Sequence, residues 1–151
     1  MAAGSGGEVE RPSLPRTYRP LGPRIAGVVA MAALLVVGTA TWFAFDDATR
    51  AAFTPFQRGT VVALTLLAMA TMFALVRSRA VASEEALLVV NGYRRHSYAW
   101  EQVVHVQLGS GSPWATLDLA DGRNVPVLAI QGSDGARARA AVRELRTLLE
   151  D

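Results

Sequence analysis

Two uncharged apolar runs separated by a short polar stretch constrain this chain more than anything else in it. From Ile25 to Phe45 there is no charged residue for 21 positions. As a helix rising about 1.5 Å per residue, that run is roughly 31 Å long and matches a hydrocarbon core of about 30 Å. Gly59 to Val76 is a second uncharged run of 18 residues, roughly 27 Å as a helix, at the short end of what crosses without local thinning. The stretch between them, 46–58, carries Pro55, Phe53 and Phe56. Trp42 stands near the end of the first run, where aromatic rings favour the headgroup zone. A connection this short forces the two spans antiparallel. The expectation is an integral membrane protein with a two-helix transmembrane hairpin over 25–76, spans 25–45 and 59–76, and loop 46–58.

Orientation follows from the arginines. Arg11, Arg16, Arg19 and Arg24 precede the first span, Arg50 and Arg58 lie in the loop, and Arg77 and Arg79 follow the second, with Arg94 and Arg95 further on. The bias of basic residues toward the cytoplasm places both termini there, so the expected location is the cell membrane, multi-pass. Residues 1–24, rich in Gly, Ser and Pro, read as a flexible basic arm. The rival reading is a cleaved signal peptide, on the basic start and the small residues Gly38 and Ala40, but the apolar run continues past them to Phe45. Alanines four apart, Ala26 and Ala30, Ala40 and Ala44, Ala70 and Ala74, suit close helix approach in lipid, and equally suit a sequence in which alanine is common.

Composition removes several chemistries. The sequence holds no cysteine, which excludes disulfides, thiolate metal sites and a cysteine nucleophile. All 15 basic residues are arginine, so no lysine base or Schiff base exists. His96 and His105 stand nine apart on strand-like segments, without the i, i+4 pairing of a helical metal site. A net charge of +2 falls short of the dense basic face that nucleic acid requires. No phosphate loop or nucleophile elbow appears. The expectation is no enzyme, no cofactor, no metal and no nucleic acid.

After Arg79 the texture changes to short alternating segments bounded by turn residues. Strands are expected at 87–90, 93–98, 102–108, 114–119 and 125–130. Asn91-Gly92 and Asp121-Gly122 supply the φ > 0 pairs of two hairpins. Within 102–108, Val104, Val106 and Leu108 should share one face and Val103, His105 and Gln107 the other. Pro126, lacking an amide proton, puts its strand at an edge or bulge. From Ala136 to Leu149 the period becomes 3.6, with Ala138, Ala141, Val142, Leu145, Leu148 and Leu149 on one side, and with Ser133 or Asp134 placed to cap the helix. Trp100 and Trp114 read as core residues that support a small domain.

Glu84-Glu85-Ala86-Leu87 with Asn91-Gly92, Trp100-Glu101-Gln102-Val103, Pro113-Trp114, Leu117 through Gly122, Ile130-Gln131 with Asp134-Gly135, and the terminal Arg-Glu-Leu-Arg carry a resemblance. Over roughly residues 80–150 the chain resembles the bacterial PH-like domain family of actinobacterial membrane proteins, the low-molecular-weight protein antigen 6 type. That family's two preceding transmembrane helices match 25–76. The resemblance implies a small α+β PH-like fold over 80–151, antiparallel strands closed by a C-terminal helix, and no enzymatic activity. It also implies seven strands where five are visible. Two are hidden in weak segments, or the domain is truncated.

Candidate contacts are therefore basic. Arg94 and Arg95 follow the first hairpin turn as the basic hairpin of many PH domains does, and with Arg77 and Arg79 they could meet anionic lipid or a protein partner. Solvated or ion-paired arginines are the plainer alternative, since Arg94 and Arg95 should point to opposite faces of a strand. His105 reads as a structural histidine, Asp121 as a turn residue and Asp118 as a solvent-facing strand residue. The leading functional expectation is a non-catalytic, membrane-tethered binding or scaffolding module at the cytoplasmic face. The alternatives are a structural subunit that docks through its hairpin and a binder of anionic headgroups.

Overall fold

The computed structural model describes residues 12–150 and divides into two compact units. One runs from Leu21 to Arg77, and the other joins the segment before it to the segment from Ser78 onward.

The first unit is the hairpin. Helix α1 spans Leu21–Ala44, α2 spans Asp47–Ala52 and α3 spans Pro55–Arg77. With 24 and 23 residues, α1 and α3 are long and apolar enough to cross a membrane. The second helix outruns its uncharged stretch because its start is built from polar chemistry. Thr54 Oγ1 accepts from the Gln57 amide at 3.2 Å while Gln57 Oε1 accepts from the Thr54 amide at 2.9 Å. That is a reciprocal capping box with Pro55 at the first helical position. Inside α3 the Thr60 and Thr71 hydroxyls donate to the carbonyls of Phe56 and Leu67 at 2.9 Å each, which satisfies them without water.

The two long helices run antiparallel, as the short connection requires. At one end Trp42 and Phe45 meet Phe53, with ring centroids 5.8 and 5.9 Å away. At the other, a Cβ added to Gly27 would sit 2.9 Å from Val76 Cγ2. Gly27 is the one buried residue of α1. The alanine pairs do not make this contact: Ala26, Ala30, Ala40, Ala44 and Ala70 are exposed. The connection is ordered too. The Asp46 carboxylate accepts the Thr49 amide at 2.8 Å to cap α2, and those Thr49 hydrogen bonds hold its pKa below the usual carboxylate value. Arg58 donates to the carbonyls of Phe53 and Arg50 at 3.1 and 2.6 Å and lies 5.4 Å from the Trp42 ring centre.

The second unit is a two-sheet sandwich. Strands β1 (Arg16–Tyr18), β2 (Arg79–Ala82), β3 (Ala86–Asn91) and β4 (Arg94–Ala99) form one antiparallel sheet in that order. Strands β5 (Val103–Gln107), β6 (Trp114–Leu119) and β7 (Asn124–Gln131) form the other, and helix α4 (Ala136–Leu149) closes the unit. The described residues thus hold seven strands, where the sequence showed five. The missing two are β1 and β2. Strand β1 comes from residues expected to belong to a flexible arm. It pairs Arg16, Thr17 and Tyr18 with Ala82, Val81 and Ala80, and α1 begins at Leu21 rather than Ile25. The rest of the expected arm, 1–11, lies outside the described residues. The hairpin is therefore inserted between two strands that pair with each other. Two residues, Arg19 and Pro20, lead from β1 into α1, and Ser78 alone leads from α3 into β2.

The core gathers Leu87, Val89, Val106, Leu117, Val127 and Leu145 with Tyr18 and Tyr98. Helix α4 buries Ala138, Val142 and Leu145, and packs Ala141, Leu148 and Leu149 against the same cluster. Three local expectations are corrected. A β-bulge between Val103 and His105 shifts the alternation of β5, so that Val103 and Val106 are buried while Val104 is 65% exposed. The N-cap of helix α4 is Gly135, at φ 56° after a 3-10 turn over Gly132–Asp134, rather than Ser133 or Asp134. Glycine adopts that positive φ at no steric cost. Trp114 is 39% exposed, not core. Trp100 packs against the core cluster and donates its indole N–H to the Ser83 carbonyl at 2.9 Å. Strand β7 is an edge strand, which accommodates Pro126.

Candidate functional site

The β3–β4 turn organises the basic end of the sandwich. Gly92 and Tyr93 turn the chain between β3 and β4, and the expected φ > 0 pair at Asn91-Gly92 is corrected: Asn91 is the last residue of β3, paired with Arg94, and of the two only Gly92 has positive φ, at 61°. The Gly92 amide donates to Ser78 Oγ at 3.0 Å. The Asn91 side chain reaches the other sheet. Its Nδ2 donates to the Pro126 carbonyl at 2.6 Å, and its Oδ1 accepts from the Leu128 amide at 3.1 Å. One side chain therefore pairs with edge strand β7 as another strand would, and ties the two sheets together.

The strand register places the candidate arginines. Arg79 and Arg95 both pair with Val90, one from each side. Directly paired residues share a face, so Arg79, Val90 and Arg95 form one row across three strands, with the two arginine backbones roughly 10 Å apart at about 4.8 Å per strand. Val90 between them is only 3% exposed. Arg94 pairs with Asn91 and takes the opposite face, as strand alternation requires. Arg77 closes α3 in the hairpin unit, with its guanidinium 5.7 Å from the Phe73 ring centre. Two of the four arginines are brought into one row; the other two are not part of it.

The remaining candidates have structural partners or surface positions. Asp118 accepts from Gln107 Nε2 at 3.1 Å. Asp121 accepts the Arg123 amide and guanidinium at 3.0 and 2.7 Å, and these bonds lower its pKa. They are two separate contacts. His96 stacks on Tyr98 at 6.3 Å between centroids, and His105 is exposed on β5. Among the described residues no group of three or more His, Asp or Glu gathers as a metal set would.

A second surface lies where β1 meets α4. The Tyr18 hydroxyl donates to Glu144 Oε2 at 3.1 Å, and Arg16 reaches both carboxylate oxygens at 3.3 Å. Burial, then the neighbouring Glu144 charge, drives the Tyr18 pKa upward. Beside this cluster opens a groove of about 650 Å³, in the size range of ligand sites. Residues 16 and 144 are too far apart in sequence for composition or periodicity to join them.

Residues 77–148 match the model of a bacterial PH domain. Uncharacterized proteins of Mycobacterium tuberculosis and Mycobacterium bovis are 37% identical to the chain over 87 residues, covering 58% of this chain and 56% of theirs. The chain therefore spans about half the length of the curated relatives it matches. No solved structure matches it.

Proposed function

From the match of residues 77–148 to the model of a bacterial PH domain, we propose a non-catalytic binding or scaffolding module tethered to the cytoplasmic face of the cell membrane. The carrying observation is the insertion of the hairpin between β1 and β2, with two linking residues on one side and one on the other. The linking residues Pro20 and Ser78 are fully buried, so the domain is joined to the helices at both hairpin ends by short, packed connections. Such a domain stays at the membrane permanently, and a weak contact there gains from high effective concentration. Permanent tethering also removes the need to recruit the protein by binding lipid, which ranks a protein partner above a headgroup.

Both termini in the cytoplasm is the orientation supported by six arginines flanking the hairpin, Arg11, Arg16, Arg19, Arg24, Arg77 and Arg79, against two in its loop. In this reading Arg79 and Arg95 are the first contacts for a partner or an anionic surface, with Arg77 and Arg94 outside their row. The non-catalytic reading rests on the family and on the structural partners of the carboxylates above.

Two measurements test it. Reporter fusions after Asp151 and within 46–58 should report cytoplasm and exterior respectively; a C-terminal reporter active only outside the cell overturns the orientation. Crosslinking in intact membranes should trap a protein through positions in the sandwich unit. Crosslinks confined to α1 and α3 would instead make the chain a structural subunit that docks through its helices.

A further inference from the structure

The groove beside β1 has the shape of a strand-accepting cleft. One wall is the continuous backbone from Pro15 to Arg19, and the facing wall is one side of α4, where Ala140 and Ala141 leave room. Ala129 and Ile130 of β7 add apolar lining. Strand β1 is the outer strand of its sheet and, among the described residues, pairs with β2 alone. Among the described residues its other side therefore displays the alternating N–H and C=O groups of an unpaired sheet edge. The edge at β5 is treated differently. There Arg146 Nε donates to the Val106 carbonyl at 2.7 Å, so α4 itself occupies that edge.

Charge narrows the occupant. Of the three lining arginines, Arg16 is paired with Glu144, while Arg19 and Arg137 carry no ion pair among the described residues. A phosphate would meet these two guanidiniums but would leave the N–H and C=O groups of the strand edge without a matching partner. An extended peptide matches both kinds of group, donating to carbonyls, accepting from amides and carrying its own acidic side chains to Arg19 and Arg137.

We propose that this groove takes an extended acidic segment of a partner protein, which adds as a further strand on β1 and places carboxylates against Arg19 and Arg137. Small apolar side chains of the same segment would lie over Ala140 and Ala141. The mode is strand addition, in which backbone pairing gives affinity and the flanking side chains give selectivity. This proposal rests on the binding-module reading and names the partner's chemistry for it.

The test is selection from a library of random ten-residue peptides against the full chain in neutral phosphatidylcholine nanodiscs. The selected peptides should be rich in Asp and Glu, and on binding they should slow amide exchange at residues 16–18. Arg19→Gln with Arg137→Gln should weaken them about tenfold in total, since exposed charge contacts are modest. N-methylating alternate peptide residues should abolish binding. Both arginines are exposed or near the surface, and an unchanged unfolding midpoint confirms that the double variant folds; Arg19→Lys with Arg137→Lys should retain most binding. The proposal is overturned if no peptide is selected, which would make β1 a merely blunted edge. It is also overturned by selected sequences that lack acidic preference, by protection away from β1, or by nanodiscs with phosphatidylglycerol taking over the dependence on Arg19 and Arg137. If it fails while membrane crosslinks still map to the sandwich unit, the binding-module reading stands and only its site moves.

Discussion

The hairpin and the sandwich are held by different physics, although the chain threads one through the other. In the hairpin nearly every backbone hydrogen bond is local to one helix, and in lipid the helices gain no hydrophobic drive to associate. Their contact depends on fit, with Gly27 against Val76 at one end and the Trp42, Phe45 and Phe53 rings at the other. In the sandwich, burial away from water dominates, and the pairs that matter are distant in sequence. Tyr18 meets Glu144, Asn91 meets Leu128 and Arg146 meets Val106. The consequence is that damage to one unit should leave the other standing, provided the strand pair that bounds the hairpin survives.

The largest expected effect that sharpens this contrast is Leu145→Ala. Leu145 is fully buried, and deleting a buried leucine costs about 3 kcal/mol. Urea titration followed by Trp100 emission should show the sandwich destabilised by that amount, with the helicity of α1 and α3 unchanged. Next is Asn91→Ala, which leaves the Pro126 carbonyl and the Leu128 amide without their pairing side chain. A loss of about 2 kcal/mol is expected. Amide exchange should quicken first along β7, and exchange that quickens only at the turn would mean that Asn91 is no more than a turn residue.

Tyr18→Phe should cost about 1 kcal/mol at neutral pH, the net worth of one partly exposed hydrogen bond to a carboxylate. Its pH signature is more telling. The folded state raises the Tyr18 pKa, so the native state holds the proton more tightly and the associated stability is full below the ordinary tyrosine value of about 10. Above about pH 10 that contribution is lost as pH rises. The wild-type stability should fall in this range more steeply than that of Tyr18→Phe, and parallel curves would contradict the burial of the hydroxyl. The smallest expected effect on the sandwich comes from Gly27→Leu. It should part the helix ends, readable as a longer distance between labels at the exposed positions 28 and 75, while the sandwich midpoint moves by less than about 0.5 kcal/mol because distant sites add independently.

The same contrast explains what could be read in the sequence. Helices announce themselves through local pattern, so the two apolar runs and the 3.6-residue period of α4 were legible; α4 matches its expected span from Ala136 to Leu149. The positions of the two hairpins were legible for the same reason, but not their turn geometry: the expected φ > 0 pairs are single glycines, Gly92 and Gly122, and the first loop is Gly92-Tyr93 rather than Asn91-Gly92. Strand β1 was not. It is three residues long, lies between Pro15 and Pro20, and finds its partner only after the intervening hairpin. The bulge in β5 hid the true inward set, because one extra residue reverses the alternation that sequence reading relies on. Thr54 and Gln57 did carry a capping signal, and reading it would have lengthened the second helix. Of the candidate arginines, the opposed faces of Arg94 and Arg95 follow from alternation alone, whereas the row of Arg79 with Arg95 requires the register of three strands. The groove at β1 and α4 joins the two ends of the described chain and has no local signal.

The most direct test of the insertion of the hairpin within the sandwich uses the absence of cysteine. Thr17→Cys with Val81→Cys places two thiols on directly paired residues of β1 and β2, where Cα atoms about 4.5–5.5 Å apart lie within disulfide reach. Mild oxidation of the full chain in membranes should close that bond nearly completely, while Thr17→Cys with Leu88→Cys, one strand further away, should stay reduced. Failure of the first pair to close, or equal closure of both, would contradict the placement of β1 in the sheet.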